Sequence, residues 1–258
     1  MSYAIDLGGR RALVTGAGQG VGEAIAATLA RAGAEVLVND LVGERAESVV
    51  ELIRADGGAA RAVPFDVTDG DMVAARFGGA GGVDILVNNA GNAGGDSWPG
   101  MVPFAMSRPS DWRPFLEVNL FGVMHCVHAA LPSMIERRWG RIITIISDAG
   151  RVGGANTAAY AAAKAGAAAL TRSVAQEVGR HGITANNISL GTMRTPLTEA
   201  RWAQVEEPAK DPQLQAYLVR RPGLPSDVSG LVTFLAGDGA EWITGQTYPV
   251  NGGYSFAL

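Results

Sequence analysis

The chain has 258 residues, with 25 acidic and 21 basic side chains and a formal net charge of −4 at pH 7. This length suits one α/β domain, and no linker rich in proline, serine or charge divides it, so we predict a single domain over residues 1–258. The absence of a basic run, a signal-like start or a long apolar run argues against nucleic acid and membrane partners, and we expect a cytoplasmic location.

Short apolar runs alternate with segments of helical periodicity along the chain. Alternation on this scale predicts a doubly wound Rossmann fold, an α/β architecture with a parallel seven-stranded sheet and helices on both faces. Ligands of such sheets bind beyond the carboxyl ends of the strands. The predicted strands are 11–15, 34–39, 60–65, 84–88, 141–147, 182–188 and 246–250, and the predicted helices are 20–32, 43–56, 69–77, 110–138, 158–180 and 225–237.

A glycine-rich turn, TGAGQGVG from Thr15 to Gly22, joins the first strand to the first helix. Glycines permit a tight turn and let the backbone approach a pyrophosphate, while the helix amino end faces the anion. With a strand before it and a helix after it, this turn predicts a dinucleotide site. The predicted contacts are Gly16, Gly18, Gln19, Gly20, Val21 and Gly22.

The second predicted strand ends in Asp40. A carboxylate at this point can accept hydrogen bonds from both hydroxyls of an adenosine ribose. It would repel a 2′-phosphate, because like charges near 4 Å cost up to about 4 kcal/mol at an effective dielectric of 20. We therefore predict NAD as the cofactor, preferred over NADP. The alternative is that Asp40 only ends a strand in a polar turn.

Three further side chains suggest acid–base chemistry. Tyr160 and Lys164 are four residues apart in an alanine-rich helical segment, and Ser147 closes an apolar strand. A free phenol has a pKa of about 10, and a lysine cation one helical turn away would lower it by roughly 2–3 units. Tyr160 could then pass protons while Ser147 holds a substrate oxygen. The Tyr-x-x-x-Lys spacing is common by chance, but with the glycine turn it indicates an oxidoreductase.

In combination these motifs resemble those of the short-chain dehydrogenases/reductases, in the compact single-domain branch. The match runs from Arg10 to about Gly253 and adds the Asp66-Val67 pair and the segment NNAG at 88–91. The resemblance implies that Asn119 holds a water that relays protons toward Lys164, and that Lys164 also binds the nicotinamide ribose. It implies catalytic roles for Asn119, Ser147, Tyr160 and Lys164, and cofactor contacts from Asp66, Val67, Asn89, Ala90, Gly91, Tyr160, Lys164, Gly191 and Thr195.

Two residues depart from the family pattern. Leu190 stands where proline is usual, and without the fixed φ of proline we expect a looser loop there. Asp148 follows Ser147 where many relatives have a small residue. Its carboxylate could disfavour anionic substrate groups, hydrogen-bond a hydroxylated substrate, or point to solvent.

The substrate is less well specified. Residues 196–222 are polar with scattered apolar side chains, which is typical of a mobile lid, and residues 94–104 are expected to form another wall of the pocket. Arg151 and Arg194 could instead grip a phosphate or carboxylate. The residues expected to make the wall apolar are Trp98, Val152, Leu190, Met193 and Trp202.

We therefore predict reversible hydride transfer between NAD(H) and a secondary alcohol or ketone, which is apolar and acyl, steroid-like or alicyclic. One alternative is a 3-oxoacyl thioester reductase acting on a carrier protein or coenzyme A. An alternative of another class is a non-catalytic nucleotide-sensing protein, against which the intact catalytic residues argue. A sugar-nucleotide epimerase shares the Tyr and Lys but usually needs a larger carboxyl-terminal domain.

The predicted helices 110–138 and 158–180 carry more apolar or small-residue surface than one sheet can cover, which indicates a homo-oligomer. The resemblance implies a dimer contact through these helices, usually within a homotetramer; a monomer with buried helices is the alternative. Cys126 lies with His125 and His128 in an apolar helical pattern, so we expect packing there and no metal site.

Overall fold

The computed structural model describes residues 5–91, 102–207 and 210–256. Within them, seven parallel strands form one sheet, as predicted. The strands are β1 (Arg11–Val14), β2 (Glu35–Val38), β3 (Ala59–Ala62), β4 (Ile85–Asn88), β5 (Gly140–Ser147), β6 (Ile183–Leu190) and β7 (Thr247–Val250). The helices are α1 (Gly20–Arg31), α2 (Gly43–Ala55), α3 (Gly70–Gly79), α4 (Pro109–Leu116), α5 (Gly122–Arg137), α6 (Ala149–Val152), α7 (Ala158–Val178), α8 (Glu199–Trp202) and α9 (Pro225–Ala236).

The strand order is β3-β2-β1-β4-β5-β6-β7, so the chain winds outward in both directions from the middle of the sheet. The carboxyl ends of β1 and β4, which are neighbours, mark the place where the winding reverses. Ligands of open α/β sheets bind at such a point. The topology therefore puts the glycine turn after β1 beside the segment that follows β4.

Apolar side chains cover both faces of the sheet. Along β5, Ile143 and Ile145 belong to the core under α1 and α9, whereas Ile142 and Ile146 belong to the core under α5 and α7. Strands buried on both faces are expected where helices cover each side of a parallel sheet. Each such isoleucine stabilises the fold by roughly 1.5–3 kcal/mol, so β5 is held firmly beneath the site described below.

The predicted helix 110–138 is one helical stretch with an irregularity. A π-helical turn, Glu117–Phe121, separates α4 from α5. By length and composition the stretch Pro109–Arg137 could cross a membrane, a property that core helices also have. Here its residues Val123, Cys126 and Val127 pack into the sheet core, which accounts for its apolar character.

Two short helices, α6 and α8, were not predicted, because four residues give no readable helical period. β3 ends earlier than expected, at Ala62. β6 extends to Leu190, which pairs with Ser147 of β5 and Val250 of β7. Leu190 is therefore part of the strand, contrary to the looser loop we expected there.

Candidate active site

Ser147, Tyr160 and Lys164 lie together at the carboxyl end of β5. A hydrogen bond joins Tyr160 to Ser147. The Nζ of Lys164 donates to the carbonyl of Ile145 at 2.9 Å, inside the protein. A methyl group on Gly150 would lie 2.9 Å from Lys164 Cβ, so glycine lets the turn after Ser147 pack directly on α7.

The hydroxyl of Ser147 is oriented by a second contact. Its Oγ accepts a hydrogen bond from the backbone N–H of Ala149 at 3.2 Å. A serine hydroxyl has one proton to donate. This proton is available for the hydrogen bond to Tyr160, and that bond opposes the rise in the pKa of the phenol.

Burial dominates the acidity of both titratable groups. It raises the pKa of Tyr160, and the hydrogen bond from Ser147 opposes that rise. Burial also lowers the pKa of Lys164 to about 8. The pKa of Tyr160 is thus raised in the protein alone, whereas the sequence led us to expect that Lys164 would lower it. The reason is that desolvation of the phenolate outweighs the hydrogen bond from Ser147.

Asn119 lies in the π-helical turn, fully buried. Its Nδ2 donates to the carbonyl of Phe115 at 2.9 Å. A methyl group on Gly91 would lie 3.2 Å from Asn119 Oδ1 and 3.3 Å from Lys164 Nζ. Gly91, Asn119 and Lys164 are therefore in close contact, and π-helical turns are frequent at functional sites.

A cleft of about 270 Å³ opens at the carboxyl ends of β1, β2 and β4. Most of the predicted cofactor contacts line it. Gly18, Tyr160, Lys164 and Gly191 do not, although Lys164 reaches its edge through Gly91. The predicted residues that line the cleft are Gly16, Gln19, Gly20, Val21, Gly22, Asp40, Asp66, Val67, Asn89, Ala90, Gly91 and Thr195.

The glycine turn is shaped for close approach. Gly16 and Gly20 have φ of 59° and 63°, which favour glycine. A methyl group on Gly22 would collide with the carbonyl of Gly16 and lie 2.5 Å from Asn89 Nδ2. Asn89 Nδ2 donates to the carbonyls of Thr15 and Gly16, both at 2.9 Å, so β4 holds the turn in place.

Asp40 faces the same cleft. Its carboxylate accepts hydrogen bonds from the backbone N–H groups of Gly18 and Val42, both at 3.0 Å. These bonds fix the carboxylate, and each oxygen keeps a further lone pair. A methyl group on Gly18 would lie 2.6 Å from both Asp40 Oδ2 and Arg45 Cβ. The wall of backbone amides, glycines and an oriented carboxylate fits an adenine dinucleotide.

Several lining residues were not predicted as cofactor contacts, although all of them flank predicted ones in the sequence or in space. Asn39 precedes Asp40, and its Nδ2 donates to the carbonyls of Val63 and Phe65 at the end of the neighbouring strand. Proximity to a recognised motif could have indicated them. They are Asn39, Leu41, Val42, Arg45, Phe65, Val118, Pro196 and Leu197.

Gly191 and Thr195 lie in the loop after β6. A methyl group on Gly191 would lie 2.8 Å from Tyr217 Cε1, so this glycine permits close packing of the predicted lid. Tyr217 Oη accepts a hydrogen bond from the N–H of Thr192 at 2.9 Å. The Thr195 N–H donates to Thr198 Oγ1 at 2.9 Å. The first residues of the predicted lid 196–222 therefore close one side of the cleft.

Three expectations about the substrate pocket change. Asp148 does not point to solvent: it is 3% exposed and bonded internally. Trp202 is buried against Leu214 and Tyr217, since the segment forms a small core of its own. Leu190, expected in the wall, is also buried within β6. Val152 remains exposed, whereas Trp98 and most of segment 94–104 lie outside the described residues.

Neither arginine proposed as an anion grip is free of partners. Arg151 pairs with Asp148 at 3.0 Å, and Arg194 pairs with Glu199 at 2.6 Å. Within the described ranges, no group of three His, Cys, Asp or Glu side chains could hold a metal ion. Burial raises the pKa of the Cys126 thiol to about 12, which keeps it protonated.

Comparison with known proteins identifies the family. The chain matches the short chain dehydrogenase family over residues 10–206. It is 38% identical over 249 residues to a 3-oxoacyl-(acyl-carrier-protein) reductase of Staphylococcus aureus, covering 95% of this chain and 97% of that protein. It is 37% identical over 253 residues to the 7alpha-hydroxysteroid dehydrogenase of Escherichia coli, covering 96% and 95%.

A solved structure agrees with this identification. The gluconate 5-dehydrogenase from Burkholderia cenocepacia, crystallised with NADP and tartrate, superposes with a TM-score of 0.88 at 34% identity, covering 99% of this chain and 98% of that chain. The resemblance inferred from the motifs is confirmed. The chain belongs to the short chain dehydrogenase family and is an NAD(P)-dependent dehydrogenase or reductase.

Proposed function

We propose that the protein transfers a hydride reversibly between NAD(H) and an apolar secondary alcohol or ketone, with Tyr160 as the acid–base group. The observation that carries the proposal is the hydrogen bond between Ser147 and Tyr160, with Lys164 one helical turn further on and packed against the cleft residue Gly91. In the oxidative direction Tyr160 takes the hydroxyl proton of the substrate, and the Ser147 hydroxyl, bonded to Tyr160 in the protein alone, rotates to hold the substrate oxygen.

In this mechanism Lys164 supports Tyr160 by its positive charge. With a pKa lowered to about 8 by burial, Lys164 still carries a positive charge at neutral pH. That charge favours the phenolate of Tyr160 and opposes the effect of burial. When bound, the nicotinamide ring accepts or gives the hydride and, in its oxidised form, adds a further positive charge. Asn119 holds a water that returns the proton by way of Lys164.

We further propose how the cleft holds the cofactor. The glycine turn, with Gly18 at its tip, receives the pyrophosphate, and Asp40 accepts hydrogen bonds from the adenosine ribose. Asp66 and Val67 flank the adenine, whereas Gly191 and Thr195 contact the nicotinamide side. Support comes from the cleft lining, which includes the residues of this set other than Gly18 and Gly191.

The cofactor preference follows from Asp40. Its carboxylate is fixed by two backbone N–H groups and faces the cleft, where it would repel a 2′-phosphate. We therefore propose NAD over NADP. Arg45 lines the same cleft and carries a charge that attracts a phosphate, so the preference depends on the carboxylate outweighing this cation.

An apolar substrate is supported by the side chains near the site. Val152 and Leu197 are exposed, and Met193, in the loop after β6, is partly buried against the core. The two arginines of this region are already paired with carboxylates. A sugar acid, the class named for the solved relative from Burkholderia cenocepacia, would need a cation to meet its carboxylate, and neither arginine offers one without breaking its pair.

A second candidate is reduction of 3-oxoacyl thioesters, which would use the same catalytic residues. The observation that favours it is the 38% identity, along nearly the whole chain, to a reductase of that class. A non-catalytic nucleotide-sensing role is disfavoured because the four residues Asn119, Ser147, Tyr160 and Lys164 are all present and in mutual proximity.

A matched screen tests the proposal. NAD reduction and NADH oxidation are measured over alicyclic and steroid alcohols and ketones, 3-oxoacyl thioesters, and gluconate as the polar comparison. We expect turnover of an apolar alcohol or ketone, absent in Ser147→Ala. Preference for thioesters would favour the second candidate. Binding of NADH without any turnover across the panel would contradict both and support the sensing role.

We also propose that residues 1–258 form one domain, that the protein is cytoplasmic, and that it assembles as a homotetramer or dimer. Support for assembly comes from apolar side chains on the outer face of the α4–α5 stretch, where Phe121 and Met124 are about two-fifths exposed.

A further inference from the structure

A buried carboxylate follows the catalytic serine of the proposed mechanism. Asp148 Oδ1 accepts hydrogen bonds from Ser189 Oγ at 2.6 Å and from Arg151 Nη1 at 3.0 Å. Its Oδ2 accepts from Asn251 Nδ2 at 2.6 Å. The carboxylate thus joins β6, α6 and the segment after β7.

The same groups hold the carboxyl-terminal segment Asn251–Phe256. Asn251 Nδ2 also donates to the carbonyl of Ser255 at 2.9 Å. Arg151 donates to Ser255 Oγ at 2.9 Å and to the carbonyl of Phe256 at 2.7 Å. We call the set Asp148, Arg151, Asn251 and Ser255 the tail clasp, because it fastens this segment to the turn after β5.

Asp148, one member of the tail clasp, directly follows Ser147 in the chain. The backbone N–H of Asp148 donates to the carbonyl of Leu190 at 3.0 Å, and its carbonyl accepts from the N–H groups of Arg151 and Val152, both at 2.9 Å. The turn fixed in this way carries the N–H of Ala149, which donates to Ser147 Oγ. The Ser147 hydroxyl thus accepts from Ala149 and keeps its proton for the hydrogen bond shared with Tyr160.

We propose that Asp148 is a positioning residue, which holds the turn against the tail so that the Ser147 hydroxyl stays aimed at Tyr160. The inference rests on the proposed role of Ser147. Burying a carboxylate costs free energy that apolar packing would avoid. A charged anchor directly after Ser147 is therefore better explained by the geometry it imposes than by its contribution to folding.

The test is Asp148→Asn, assayed by steady-state kinetics on the alcohol that the screen identifies. The new amide replaces one acceptor oxygen by a donor, so a donor must face Asn251, Ser189 or Arg151. We expect kcat to fall roughly 10-fold, as small displacements of reacting groups do, with little change in KM for NAD. The rising limb of the pH–rate profile should move to higher pH, because Ser147 would stabilise the Tyr160 phenolate less well. Amide hydrogen exchange at Ala149 and in Asn251–Phe256 should become faster.

Asp84→Asn is the matched control. Asp84 also accepts from a backbone N–H, that of Arg11 at 2.8 Å, and from Arg137 Nε at 3.1 Å, but it lies just before the amino end of β4, away from the cleft. It should lower thermal stability without moving kcat or the pH profile. If Asp148→Asn alters kcat and the pH profile no more than Asp84→Asn does, while Ser147→Ala abolishes turnover, the inference is overturned and the proposed function stands.

Two further variants keep the outcomes separate. Retained turnover in Ser147→Ala would overturn the proposed role of the serine itself. If Asp148→Asn does not fold, Asn251→Ala takes its place, since it removes the direct hydrogen bond from Asn251 to the carboxylate but leaves the Asp148–Arg151 pair. We expect kcat and the pH–rate profile of Asn251→Ala to change in the same direction as predicted for Asp148→Asn, by a smaller amount. An unchanged pH–rate profile would overturn the inference.

Discussion

The phenol oxygen of Tyr160 is the atom on which the proposed chemistry depends. Tyr160→Phe removes this oxygen and keeps the ring, which packs edge-on against Phe115 with the ring centroids 6.0 Å apart. We expect turnover to fall by at least about 100-fold, the usual contribution of a positioned acid or base. The dissociation constant for NADH, measured by fluorescence titration, should stay nearly constant. Tyr248→Phe, on the edge strand β7, is the control, and activity surviving in Tyr160→Phe would remove this residue from the acid–base role.

Replacing Asp40 should change the selectivity between NAD and NADP. Asp40→Ala removes the carboxylate and leaves Arg45 in the same cleft. We expect the ratio of kcat/KM for NAD to that for NADP to fall by about 10-fold or more, since up to a few kcal/mol of repulsion is removed. Glu44→Ala, which changes the acidic residue directly before Arg45, serves as the comparison. An unchanged ratio in Asp40→Ala would contradict the ribose assignment.

The buried amine of Lys164 has a consequence for stability. Its pKa is lowered from 10.5 to about 8 by burial, so between pH 8 and pH 10.5 the unfolded chain binds more protons than the folded protein. Stability therefore rises with pH across this window. The full shift corresponds to about 3 kcal/mol. In Lys164→Met this contribution disappears, so urea denaturation at several pH values should show a smaller rise than in the wild type. If the free energy of unfolding rises with pH equally in the wild type and in Lys164→Met, this prediction is wrong.

Residues of the candidate site were predictable where a local pattern indicated their chemistry, and unpredictable where distant contacts decide. The spacing of Tyr160 and Lys164 is visible in one stretch of sequence. The surroundings of Asp148 are not, because its partner Asn251 is 103 residues away. The raised pKa of Tyr160 was likewise missed, since burial cannot be read from a helical spacing.

Among the elements, long strands and helices were easier to predict than their irregular joints. The periodicity of 110–138 predicts one helix, but the apolar pattern does not reveal the π-helical turn that buries Asn119. α7 is fixed on the sheet partly by a hydrogen bond between Thr171 and Thr144 Oγ1, at 3.1 Å. Such polar contacts set the height of Lys164 above β5, and alanine-rich sequence gives no sign of them.

The close packing of Gly22 against the turn between β1 and α1 can be tested by substitution. Gly22 and Gly230 both lie inside helices, α1 and α9. A methyl group on Gly22 would meet Gly16 and Asn89, whereas one on Gly230 would meet nothing within 4 Å. We expect Gly22→Ala to lower the melting temperature and weaken NADH binding. Gly230→Ala should raise stability by roughly 0.5–1 kcal/mol through helix propensity alone. Equal effects of the two changes would contradict the close approach.

At the scale of the whole molecule, alternation of strands and helices was enough to predict the parallel sheet and the ends of its strands at which ligands bind. It did not predict the path of the carboxyl-terminal segment, which returns to the turn after β5 and stacks Tyr254 on Tyr217 with ring centroids 5.0 Å apart. Pairings of this kind depend on the completed fold, because neither ring belongs to a strand or a long helix whose period could be recognised.

The apolar face of the α4–α5 stretch leads to a prediction about assembly. Phe121 and Met124 are 42% and 41% exposed, and a second copy of the chain would bury them. We expect Phe121→Glu combined with Met124→Glu to shift the mass measured by sedimentation velocity toward smaller species, because charges buried at an interface without partners are costly. Leu52→Glu is the control: Leu52 is more exposed, at 61%, but lies on α2, away from this face. If the double variant keeps the wild-type mass, the contact runs through another surface; if the wild type is itself a monomer, the predicted assembly is wrong.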